Sequence, residues 1–243
     1  MICNRLLLAL ALTAAASFAS TATVVFTNLP PVLMTNTYQT GTGATYDGYT
    51  TATVNGVSGQ YLICDDSVDT TRVPSSQLVF DFSTLGNDLS NISASPLRFK
   101  SETNAVTRYD DAAMLLYDFA QLGTAATNPT TTAQKDTVVD YQYVLWSLFN
   151  THVAGQSDFT LNATQTALLQ HIQNQVSDPN NTALLTSILS NVEVYSPDCR
   201  LSSAGNQEFL QYTGSGTPEP ASFVLMGVGL LLGSLSLKRF RRS

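Results

Sequence analysis

Near the carboxyl end, Ala221 to Leu237 form a run of seventeen residues without a charge, closed by Lys238-Arg239-Phe240-Arg241-Arg242. A helix rises about 1.5 Å per residue, so this run would be about 25 Å long, just enough to span a thin bilayer. The basic cluster behind it belongs on the cytoplasmic side, with the body on the other. Pro218 and Pro220 keep such a helix from running back into the body. The front end carries a matching address. Arg5 precedes the apolar run Leu6 to Leu12, and small residues follow, with Ser17-Phe18-Ala19 or Thr21-Ala22 as cleavage positions. That apolar run is too short to cross a membrane and reads as a secretory signal. The organisation predicted is a signal peptide over 1–19, an extracytoplasmic domain over 20–212, a linker over 213–217 and a sorting segment over 218–243. The chain is expected to be exported and held at the inner membrane by a single C-terminal transmembrane helix, before it reaches the cell surface or the medium.

Charge narrows the partners of the body. Between Ser20 and Thr217 only Arg72, Arg98, Lys100, Arg108, Lys135 and Arg200 are basic, against seventeen of the eighteen acidic residues. A phosphate backbone would be repelled, so nucleic acid is excluded. Hydrophobic residues make up 44% of the chain, enough to bury a core, so it is not a disordered protein.

The tail resembles the PEP-CTERM sorting signal of Gram-negative bacteria that make exopolysaccharide. Pro218, Glu219 and Pro220, the apolar run with Gly227, Gly229 and Gly233, and the closing Lys238, Arg239, Arg241 and Arg242 carry the likeness. The resemblance implies an exosortase as processing partner. That enzyme is thought to cut near Pro-Glu-Pro and release or transfer the body, with exopolysaccharide as a neighbour.

Within the body, the hydrophobic period changes along the chain. Thr23 to Phe26, Thr50 to Val57, Tyr61 to Cys64 and Gln77 to Phe82 read as strands, the middle two joined by the hairpin signal Asn55-Gly56. Residues 28–48 read as loops, 83–100 as irregular and 123–133 as a polar loop. Helical spacing then takes over. One helix is predicted from a cap at Asp110-Asp111 to about Leu122, a second from Gln134 to Asn150, a third from Thr164 to Val176 and a short fourth from Asn181 to Leu189. Val192 to Tyr195 and Glu208 to Leu210 look like closing strands. The fold class predicted is α+β, with a β-rich N-terminal part, a helical block inserted between strands of one sheet, and the transmembrane helix behind.

Cys3 leaves with the signal, so the body keeps Cys64 and Cys199, whose default in an oxidising compartment is one disulfide. Gln142 stands in the second helix on or beside the stripe formed by Val138, Tyr141, Leu145, Leu148 and Phe149. A buried amide must be bonded, and one reading is that Gln142 bonds a loop backbone and fixes the packing. A second reading joins it to Cys64. Tyr61-Leu62-Ile63-Cys64-Asp65 and Gln142-Tyr143-Val144-Leu145-Trp146 are similar to the Cys segment and the Thr-Gln-x-Ala segment of bacterial thioester adhesin domains. Tyr141 and Val144 depart from that pattern. The resemblance implies an internal thioester between Cys64 and Gln142, shielded by Tyr141, Tyr143 and Trp146, that captures surface amines once rather than by turnover.

Other groupings carry less chemistry. Asp65, Asp66 and Asp69 lack the spacing of a calcium loop, and His152 and His171 have no metal-ligand partner at helical spacing. No metal or cofactor is predicted. Asn91, Asn162 and Asn180 open glycan acceptor patterns that a Thr- and Asn-rich composition also produces. The function expected is that of an exported, non-catalytic, adhesive surface or matrix protein. The alternative is a secreted carbohydrate-binding module or hydrolase held by the same tail, with Cys64 and Cys199 in a disulfide.

Overall fold

The computed structural model describes residues 20–28, 32–34, 45–65, 77–149, 160–197 and 207–214. The signal peptide, Cys199, Asp66, Asp69, His152 and the sorting segment with its Pro218, Glu219 and Pro220 lie outside the described residues.

Strand β1 (Ser20–Asn28) is nine residues long, and its two halves pair with different partners. Ser20 to Val24 run antiparallel to β6 (Leu78–Thr84), and Val24 to Asn28 run antiparallel to β4 (Thr50–Val54). Strand β4 turns through Asn55-Gly56 into β5 (Val57–Cys64), as the hairpin signal predicts, with both turn residues at positive φ. From β5 the ladder continues to β8 (Phe209–Tyr212), then β7 (Val192–Ser196), then back to β6. The result is a closed six-stranded antiparallel barrel in the order β1-β4-β5-β8-β7-β6. Two short strands, β2 (Val32–Met34) and β3 (Thr45–Asp47), pair separately within the stretch expected to be loops.

The α+β expectation is therefore corrected. The six strands do not form an open sheet: they close on themselves into a barrel, because β1 bridges β6 and β4. Closure removes the exposed ladder edges that a sheet would leave. The predicted transmembrane helix is not among the described elements either: no described helix is long and apolar enough to cross a membrane. The longest, α4 (Thr132–Phe149), carries Lys135, Asp136 and Asp140.

Alternation along the strands fills the barrel. Ala22, Val24 and Phe26 of β1 point inward with Ala52, Leu62, Phe80, Tyr195 and Phe209. The Phe26 ring lies 4.6 Å from Phe209, and Phe80 meets Phe209 edge-on at 6.1 Å. Outward-facing Ile63, Val192, Val194 and Leu210 belong instead to a second core, shared with the helices.

The helices occupy the interval between β6 and β7. They are α1 (Leu85–Ser90), α2 (Ala105–Gln121), α3 (Thr124–Thr127), α4, α5 (Ala163–Ser177) and α6 (Thr182–Ser190). Helix α5 starts on a capping box: the Asn162 side chain accepts from Gln165 N–H, and the Gln165 side chain accepts from Asn162 N–H. The same Gln165 donates to Asp140 of α4 at 3.0 Å, tying the two helices together. Asp110-Asp111 do not cap α2, which begins five residues earlier at Ala105. The apolar face extends backward through Ala105 and Tyr109, so the helix does too. Asp111 is left 4% exposed.

Two outcomes follow from this packing. Phe26→Ala empties the centre of the barrel and is expected to cost about 3–5 kcal/mol, read as a lower midpoint in urea; a midpoint unchanged from the parent would contradict the inward placement of β1. Burial raises the Asp110 and Asp111 carboxyls from 3.8 to about 6, while a Gln173 hydrogen bond to Asp111 opposes the rise. The folded state thus holds these protons more tightly than the unfolded one. Their contribution is full below the ordinary carboxylate range and is lost as pH rises through about 6. Asp111→Asn is expected to flatten the fall in Tm between about pH 4 and pH 6, and calorimetry across that interval measures it.

Candidate functional site

The barrel and the helical block meet at the C-terminal end of β5. Cys64 is the last residue of that strand, half-buried, and packs against both cores. Opposite it, α4 presents Gln142, which is 0% exposed. The Gln142 amide spans the junction: its Nε2 donates to the Cys64 carbonyl at 2.8 Å, and its Oε1 accepts from the Gly48 N–H at 3.2 Å. Gly48 sits at φ +100°, a conformation that favours glycine, just before β4. So the reading that Gln142 bonds loop backbone holds, and one of the two partners belongs to Cys64 itself, 78 residues away in the chain.

A stack of rings braces the same junction. Tyr49, next to Gly48, stacks on Phe119 of α2 at 4.8 Å, and Phe119 stacks on Tyr141 of α4 at 5.1 Å. The residues flanking the two ends of the Gly48–Gln142 bond are thereby joined through one ring. Burial pushes the Tyr49 hydroxyl well above its ordinary range, and burial together with the Asp118 charge pushes Tyr141 up to about 12. Both rings stay neutral at any ordinary pH. Tyr143 and Trp146 are buried and lie 5.7 Å apart in the core that Cys64 packs against.

Behind Cys64 lies a buried carboxylate that the sequence reading assigned only to a closing strand. Glu208, immediately before β8, is wholly buried. Its Oε1 accepts from the Tyr109 hydroxyl at 2.7 Å, and its Oε2 accepts from the Arg98 N–H at 2.9 Å and from the Ser196 hydroxyl. Its backbone carbonyl receives the Asp65 N–H at 3.4 Å. Burial, then the charges of Glu208 and Asp65, hold the Tyr109 hydroxyl far above its ordinary value, so it remains a donor. Glu208 thus ties the residue after Cys64 to α2 and to the segment before it. Asp65, the described member of the predicted acidic loop, is buried rather than solvated. Among the described residues, no group of three or more His, Cys, Asp and Glu side chains could hold a metal ion. His171 pairs with Asp118 at 3.6 Å on the helical block.

Gly48, Tyr49, Phe119 and Glu208 are the residues of this junction that sequence reasoning missed. The Thr-, Gly- and Asn-rich context of the first two reads as loop, and Phe119 reads as one more apolar helix position. Glu208 had a faint signal: an acidic residue opening an apolar strand segment. Compared with known proteins, the chain matches no protein family, no curated protein and no solved structure.

Tyr109→Phe removes the hydroxyl that feeds Glu208 and leaves the buried carboxylate one donor short. The expected loss is about 1–3 kcal/mol, measured by denaturant unfolding; a neutral result would show that the Tyr109 bond does not hold the carboxylate in place.

Proposed function

We propose that this chain is an exported, non-catalytic surface adhesive whose Cys64 and Gln142 condense into an internal thioester. The observation that carries the proposal is the 2.8 Å contact between the amide nitrogen of the fully buried Gln142 and the backbone carbonyl of the half-buried Cys64. The Cys64 sulfur attacks the Gln142 side-chain carbonyl carbon. The S–C bond forms, the C–N bond breaks, and the thiol proton leaves on the departing nitrogen as ammonia. Negative charge grows on Gln142 Oε1 during the attack, where the Gly48 N–H already donates. A primary amine on a target then attacks the same carbon, forming an amide and returning the sulfur to the thiol. No group is consumed beyond the stored acyl bond, so each molecule reacts once. Burial of Gln142 and the packed rings of Tyr141, Tyr143 and Trp146 support a thioester that outlives exposure to water.

In the same proposal the signal over 1–19 directs export. The Pro218-Glu219-Pro220 tail presents the body to an exosortase at the inner membrane, which releases it toward the cell surface and its exopolysaccharide.

Intact-mass measurement of protein never exposed to reductant tests both parts. The expected mass is below that of the encoded mature body by one ammonia, is restored to the encoded value in Gln142→Ala and Cys64→Ala, and begins and ends at the predicted cleavage sites. Incorporation of methylamine should follow the same pattern. A mass lower by two hydrogens would instead place Cys64 in a disulfide with Cys199 and overturn the thioester.

A further inference from the structure

We propose that the groove between the barrel and the end of α2 binds a neutral saccharide. It encloses about 430 Å³ and is walled by β5, β8, the residue before β4, and the α2–α3 junction. That volume falls within the range of roughly 300–1,000 Å³ usual for small-ligand pockets. Three tyrosines line it. Tyr61 is 42% exposed and leans toward Tyr49, with ring centres 6.0 Å apart. Tyr212 forms the facing wall and is held on two sides. The Tyr117 ring meets it edge-on at 5.8 Å, and Gly214 follows it so closely that any added Cβ would strike the Tyr212 phenol. Tyr49, stacked on Phe119, and Tyr212 are thus positioned before a ligand arrives, which lowers the ordering cost of binding.

The polar lining selects the ligand class. Gln60 and Gln211 lie on the barrel-facing side of their strands, where Gln211 donates to Gln60 at 2.8 Å and accepts from the Tyr195 hydroxyl at 3.0 Å. The polar side chains left to the groove are therefore the hydroxyls of Thr124 and Thr127 from α3 and the phenols of Tyr61 and Tyr212. Hydroxyls offer donor and acceptor together, which is what sugar hydroxyls require. Aromatic faces accept the apolar C–H faces of a pyranose ring. No Asp, Glu, Lys or Arg lines the groove, although acidic residues outnumber basic ones almost threefold in the body. A charged ligand would find no counter-charge there, and an anionic one would also meet the repulsion of the whole body. A purely apolar ligand would cover the Thr124 and Thr127 hydroxyls without bonding them. A neutral, polyhydroxylated ligand satisfies both constraints. This inference stands apart from the thioester: it concerns reversible contact, and it is measured with Cys64 replaced.

The test is titration calorimetry of the full-length Cys64→Ala chain with neutral tetrasaccharides of glucose, mannose, galactose and N-acetylglucosamine. Tetragalacturonate and a polyproline peptide serve as contrasting probes. At least one neutral tetrasaccharide is expected to bind, and Tyr61→Ala to weaken it about tenfold through loss of an exposed stacking surface. Thr124→Trp, at an exposed position, should fill the groove and abolish binding while leaving the unfolding midpoint unchanged. The proposal is overturned if no neutral saccharide binds, if binding survives both substitutions, or if the acidic sugar or the peptide binds in their place.

Discussion

A single buried amide holds the two halves of this protein in register. Gln142 projects from α4 into the space between helices and barrel, and each end of its amide meets a backbone group of the barrel side. Burying an unpaired amide costs on the order of 1–3 kcal/mol, so the helix cannot rotate or slide without leaving Gly48 or Cys64 unsatisfied. The ring stack of Tyr49, Phe119 and Tyr141 adds van der Waals contact along the same line. Hydrogen bond and stack together set the distance and angle at which β5 faces α4.

Glu208 works on the other side of Cys64. A carboxylate fully removed from water is tolerated only when several donors compensate it. Here a phenol, a hydroxyl and a backbone N–H do so, and they come from three separate parts of the chain. The carboxylate therefore gathers β7, α2 and the segment before α2 around the start of β8, next to the strand end that carries Cys64. The reactive arrangement proposed for Cys64 and Gln142 is placed by these two buried polar centres. The groove lined by Tyr61 and Tyr212 opens on the same seam between barrel and helices, and shares Tyr49 with it.

Local pattern was sufficient for much of this architecture. The Asn55-Gly56 turn, the Leu78 to Phe82 strand and helices α4, α5 and α6 stand within a few residues of where periodicity and cap residues put them. Propensity and hydrophobic period are properties of short segments, and these segments obey them. Helix α2 was misread at its start because Asp110-Asp111 resemble a cap, whereas the apolar face continued back to Ala105. Helix α3 and strands β2 and β3 are too short for any period to declare itself.

By itself, the sequence determined the order of the longer strands and helices, the acidic character of the body, the apolar and charged endings, and the need for Gln142 to find partners. Each of these rests on composition or on neighbours a few residues apart. Only the tertiary structure decided that the strands close into a barrel, because closure depends on β1 pairing with β6 in its first half and with β4 in its second. It alone placed Gly48 and Cys64 at the two ends of one amide and buried Glu208 behind them. Such contacts span tens of residues and are selected by the free energy of burying polar groups with their partners, a quantity that no short window of sequence contains.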